Sequence, residues 1–164
     1  MTFGTSSKIF RQYLADAVGP TASFTPHLAS GGTWKAALFG NTGTPDNTVA
    51  AALAAFNAGS SAWVTANELT SSTQWPSGGI ALTYSSSTRF ASTSNLITLD
   101  ADDTPGGGTV TLASVWGDLV YDDALTTPVA KQALAFHSFG AAQSVSAGTF
   151  TIVWNASGVA QISV

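Results

Sequence analysis

The chain has 164 residues, of which 9% are Asp, Glu, Lys or Arg, against roughly 25% in an ordinary soluble domain. Five basic and nine acidic residues leave a net charge of -4, too little positive charge for electrostatic binding to nucleic acid. The absence of cysteine excludes a disulfide framework and any thiolate chemistry.

Ser, Thr, Ala, Gly and Asn stand where charges normally keep a monomer soluble. Such a surface costs little to desolvate, so it suits a protein whose outside is covered by other proteins in an assembly. The hydrophobic content of 45%, with five Trp and nine Phe, fills one core. No run approaches the ~20 apolar residues of a membrane span, and the N-terminus lacks the apolar stretch of a secretory signal. The expectation is synthesis in a cytoplasm with no membrane anchoring.

Along the chain, Ile9, Phe10, Tyr13, Leu14 and Ala17 fall at helical spacing, with Ser6 or Ser7 as cap and Gly19-Pro20 as stop. Residues 1–32 are therefore expected to form a short helix and an extended arm, punctuated by Pro26 and Gly31-Gly32, that serves assembly more than the fold. Residues 33–164 are expected to form a single β domain. Trp34, Ala36, Leu38 and Phe39 read as its first strand, closed by Gly40-Asn41-Thr42-Gly43. Val49, Leu53 and Phe56 form the stripe of an Ala-rich helix, capped by Asp46 or Asn47 and ended by Asn57 to Gly59.

Strands are expected at 63–69, 80–84, 88–90, 96–99, 109–115, 119–122, 133–139 and 150–162. Strict alternation in Thr149-Phe150-Thr151-Ile152-Val153-Trp154 puts Phe150, Ile152 and Trp154 on one buried face. Asn155-Ala156-Ser157-Gly158 then folds the last strand back as a hairpin. Short strands separated by Gly, Ser, Asn and Pro predict a mainly β fold, an antiparallel β-sandwich or jelly-roll-like barrel with one short Ala-rich helix and the N-terminal helix and arm.

No chemistry announces itself. His27 and His137 lack partners at metal-ligand spacing, and His137 reads as a strand-face histidine. No serine sits in a Gly-x-Ser-x-Gly elbow. Glu68 is the sole glutamate, with nothing to mark an aspartate as its glycosidase partner. Asp100, Asp102 and Asp103, and then Asp118, Asp122 and Asp123, offer oxygen ligands to Ca²⁺, but Asp is also a common turn residue, and turns are the expected reading. No enzyme, cofactor or metal is expected. Trp63 and Trp75 flank a polar segment and are candidates, with Ile9, Phe10, Tyr13 and Leu14, for contacts to a partner.

The series Asn67-Glu68-Leu69, Trp75, Gly78-Gly79 and Leu82, Asp100-Ala101-Asp102-Asp103, Val120-Tyr121-Asp122-Asp123, Phe139-Gly140 and Gly148-Thr149-Phe150-Thr151-Ile152-Val153-Trp154-Asn155 with Gly158 resembles a family of small virion proteins of tailed bacteriophages. The resemblance covers Thr33 to Val164 and is strongest near the C-terminus; the Ala-rich segment and Ser138 depart from it. It implies an all-β structural protein of the particle, with no catalytic residues. The expected function is capsid decoration on the outer surface of the virion, with the major capsid protein and further copies of the chain, as a homotrimer, for partners. The alternatives are a tail or head-fibre component and a carbohydrate-binding or host-adhesion module.

Overall fold

The computed structural model describes residues 6–19, 34–59, 61–71, 74–84, 90–93, 95–105 and 108–163. The expected arm at 20–32, and His27 with it, lie outside the described residues.

The fold is mainly β and antiparallel, as the strand pattern predicts. A five-stranded sheet runs in the order β1 (Lys8–Ile9), β8 (Ala133–Gly148), β7 (Val110–Asp122), β2 (Trp34–Phe39), β3 (Ile80–Ala81). A three-stranded sheet has the order β10 (Ala160–Ser163), β5 (Leu96–Leu99), β4 (Phe90–Thr93), and β6 (Thr104–Pro105) pairs with β9 (Thr151–Ile152). Helix α1 spans Arg11–Val18.

Directly opposed residues of an antiparallel pair share a face, which sorts the main sheet into two sides. Phe39, Tyr121 and Phe136 point one way; Leu38, Asp118, Val120, Ala135 and His137 point the other. The first side is covered by an aromatic cluster. Trp63 meets Phe39 at 5.1 Å, Phe136 at 5.6 Å and Phe10 at 6.2 Å between ring centroids, and Phe56 stacks on Tyr121 at 4.7 Å. The second side faces the three-stranded sheet, whose link to the C-terminal segment is Val159 N–H donating to the Leu99 carbonyl at 2.8 Å.

The N-terminal helix is not a detachable element. β1 pairs with β8 at Lys8↔Phe136 and Ile9↔Ala135, and Phe10 and Tyr13 are buried in the core. The apolar stripe that suggested a docking helix is consumed by the chain's own sheet. Neither Ser6 nor Ser7 caps α1: Phe10 stands at the N-cap. Phe10 N–H donates to the Leu134 carbonyl at 2.8 Å and Arg11 N–H to that of Asn47 at 3.1 Å, so tertiary partners replace a local cap.

The Ala-rich helix also gives way. Only Ala51–Leu53 forms a 3₁₀ turn, because the next residues bond sideways. Ala133 N–H donates to the Ala54 carbonyl and Phe56 N–H to the Lys131 carbonyl, a strand-like pairing that places Phe56 over Tyr121 and leaves Leu53 40% exposed. The strand expected at 63–69 is instead turns and a 3₁₀ segment, Thr65–Asn67, with one bridge between Phe39 and Glu68.

The segments 109–115 and 119–122 join into the single strand β7, and β8 runs on to Gly148. At the C-terminus the predicted alternation is observed: Ile152 is buried, Phe150 and Trp154 pack against the core, and Val153 is 71% exposed. The turn at Asn155 to Gly158 forms, but β10 pairs with β5 rather than folding back on the 150s strand.

Candidate interaction surface

Every Asp, Glu, Lys and Arg of the chain lies at or before Lys131, and 104–117 contains none either. The fold gathers these uncharged stretches. β2 pairs with β7 only over 117–122 and β1 with β8 only over 135–136. Beyond them, 110–116 and 139–148 form a two-stranded ribbon that no third strand flanks among the described residues.

Thr111, Ala113, Ser144 and Ser146 of the ribbon are exposed, while Val110, Leu112 and Val115 are buried and anchor its inner side, where Gln143 stands opposite Val115. Its register shifts three times between Val110 and Gly117, and Ser114 and Ala147 have φ of 57° and 47°. These irregularities leave amides to side chains: Ser114 N–H donates to Ser144 Oγ at 3.0 Å and Ala147 N–H to Thr111 Oγ1 at 3.2 Å. Bulges of this kind twist an edge and blunt indiscriminate strand addition.

At the foot of the ribbon opens a groove of about 350 Å³, lined by Phe139, Gln143, Phe150, Thr151, Ile152 and Val153. Trp75 supports its floor, with its indole N–H donating to the Phe150 carbonyl at 3.2 Å and its ring edge-on to Phe150 at 6.0 Å. The groove is open and carries no charge, mixing apolar side chains with the neutral polar Gln143 and Thr151.

Of the six interaction residues expected from sequence, Phe10, Tyr13, Trp63 and Trp75 are buried, and Ile9 and Leu14 are half-buried against the fold. None presents a free aromatic platform, so the rings that motivated a sugar-binding reading are not available to a sugar. The ribbon and groove were missed because they carry no conspicuous residue type; their signal was the absence of charge after Lys131.

The aspartates divide. Asp118 is fully buried in the middle of β7 and is not a turn residue, whereas Asp122, also fully buried, ends the strand and accepts the Ala124 N–H at 3.1 Å in the turn that follows, as expected. Asp123 pairs with Lys35 at 2.9 Å and Lys131 at 3.0 Å, while Asp103 Oδ1 accepts the Trp154 N–H at 3.0 Å. Among the described residues no three His, Asp or Glu side chains gather as metal ligands. Among the described residues no helix is long and apolar enough to cross a membrane.

Glu68 is a structural anchor. Its carboxylate accepts the Gly78 N–H at 2.9 Å, the Gly79 N–H at 3.0 Å and the Ser77 hydroxyl at 3.1 Å, while Tyr121 Oη donates to the Gly78 carbonyl at 2.6 Å. Burial pushes the Glu68 carboxyl above the ordinary range, and these donors together with Lys35 pull it back only in part. The separate fragments Asn67-Glu68, Gly78-Gly79 and Val120-Tyr121 thus meet in one knot that locks the 68–79 loop to the main sheet.

Comparison of the chain with protein-family profiles, curated proteins and solved structures returns no match.

Proposed function

We propose that the protein is a structural component of a tailed-phage virion, a decoration protein that binds the outer surface of the major capsid lattice as a homotrimer and ties neighbouring capsomers together. The observation that carries this reading is the uncharged ribbon and groove, a surface that can be covered without stripping water from any ion. The bulged edges favour one shaped partner over arbitrary strand addition. The phage-like motif series supports the same reading, because Phe139 and Phe150 to Val153 of that series line the groove. Many modest contacts, repeated over a lattice, would oppose the outward pressure of packaged DNA.

The experiment is reconstitution. Shells lacking the protein are incubated with it, pelleted, and the retained protein is measured. Retention is expected to change little between low salt and about 0.5 M NaCl, since neutral contacts are hardly screened. Val153→Asp is expected to weaken retention about tenfold or more, the effect of ~1.4 kcal/mol from desolvating a charge, without changing the melting temperature of the free protein. Wholesale release at moderate salt, or a Val153→Asp variant retained like the parent, would overturn the proposal. The mass of the free protein in solution tests the trimer.

A further inference from the structure

We propose that His137 is a proton-operated clamp that fastens the C-terminal sheet to the central strands β7 and β8. The imidazole stands between the two sheets. Its Nδ1 lies 2.6 Å from Asp118 Oδ1, and its Nε2 lies 2.7 Å from the Val159 carbonyl oxygen. Both neighbours are acceptors, and a neutral imidazole has a single N–H. Satisfying both contacts therefore takes two protons, one between Nδ1 and Oδ1 and one on Nε2.

The surroundings sharpen the requirement. Asp118 is fully buried and the His137 side chain is 18% exposed. Asp118 Oδ1 also accepts the His137 backbone N–H at 3.2 Å, and Oδ2 is buried with no partner among the described residues. From the C-terminal segment the ring meets Trp154 edge-on at 5.3 Å. No other Asp, Glu, Lys, Arg or Tyr occurs in 132–164. On β1, Lys8 opposes Phe136 and so belongs to the other side of the sheet, and Ile9 is apolar. Beyond Trp154, Asp103 is held by the Trp154 amide, and beyond β5, Asp100 bonds the Ala101 amide. Asp118 is thus the one titratable side chain in contact with the ring among the described residues.

Loss of one proton has a preferred direction. Removing it from Nδ1 would set a nitrogen lone pair against the Asp118 carboxylate; removing it from Nε2 sets a lone pair against a neutral carbonyl, which costs less. The neutral ring accordingly keeps Asp118 and releases Val159, so the tie to β10 is the one that breaks. Burial pushes the ring's pKa down, but the Asp118 charge, its hydrogen bond and the Val159 carbonyl outweigh burial and hold it above the ordinary histidine value. A folded value raised in this way contributes stability that is present below the unfolded value, about 6.5, and is lost as pH rises through the folded one.

The test is an NMR titration of the intact protein from about pH 5.5 to 9.5, a window chosen to bracket the ordinary histidine value. The His137 ring is expected to titrate with a midpoint above that of a free imidazole. The amides of Val159 to Ser163 are expected to move with the same midpoint, and their exchange, corrected for intrinsic pH dependence, to accelerate about tenfold, the scale of one lost hydrogen bond to a charged group. Asp118→Asn, which keeps an acceptor and removes the charge, is expected to lower the midpoint, and His137→Gln to abolish the alkaline acceleration. If either variant fails to fold, the wild-type titration still decides. A midpoint at or below the free value, or β10 amides indifferent to it, would overturn the clamp.

Discussion

Trp63→Ala is expected to remove about 3–5 kcal/mol of stability, the range for truncating a large buried aromatic side chain, and to lower the melting temperature by roughly 10 °C for a domain of this size. Trp63 is 2% exposed, and its ring is the hub of the aromatic layer, touching Phe10 from the N-terminal segment, Phe39 from β2 and Phe136 from β8. No neighbour can swing in to refill the space, because each of these rings is itself fixed by the sheet or by β1. Val153→Ala is the control: Val153 faces solvent, and exposed substitutions usually stay within about 0.5 kcal/mol. Thermal and urea unfolding of the two variants beside the parent measure the difference. A Trp63→Ala protein that melts like the parent would show that Trp63 is peripheral and return it to the interaction surface.

Trp63 also shows what the sequence made legible and what it did not. Strands with alternation or a dense apolar run were readable: β2 and β5 lie where the pattern put them, and the inward side of 150–154 followed from period two alone. Segments whose backbone bonds go to distant partners were not. Val49 to Phe56 has helical spacing, yet the pairing of Ala54 and Phe56 with 131–133 wins, and no local propensity encodes that tertiary competition. The stripe on α1 identified an apolar face correctly and its partner wrongly, because an amphipathic helix looks the same whether its own sheet or another protein covers it. Asp118 looked like a turn residue because a lone Asp after Gly usually is one; inside β7 it needed His137, nineteen residues away, to justify its burial. The uncharged surface was legible as composition, but its gathering on one ribbon depends on where β1 and β2 stop pairing.

The loop held by Glu68 gives the other large effect, and its two glycines make an internal comparison. Gly78 and Gly79 both have positive φ, 86° and 69°, so an alanine at either position carries a backbone strain of about 1–2 kcal/mol. The space around them differs. A Cβ on Gly78 meets only the Tyr121 hydroxyl at 3.6 Å, whereas a Cβ on Gly79 runs into the backbone of β2, against the carbonyl of Ala36 and 2.8 Å from Ala37 Cα. Backbone in the middle of a paired strand cannot step aside without breaking the register of β2 with β7. Gly78→Ala is therefore expected to fold with a modest loss, and Gly79→Ala to lose at least about 3 kcal/mol, the strain plus the cost of overpacking, or to fail to accumulate as folded protein. Glu68→Gln belongs between them. It keeps the shape and one acceptor oxygen but turns an amide NH₂ toward backbone N–H groups, which costs about 1.5–3 kcal/mol for the lost charged hydrogen bonds. Urea unfolding of the three variants gives the order. If Gly79→Ala proves no worse than Gly78→Ala, the loop does not sit against β2, and the knot of Glu68, Gly78, Gly79 and Tyr121 is not what holds this side of the sheet.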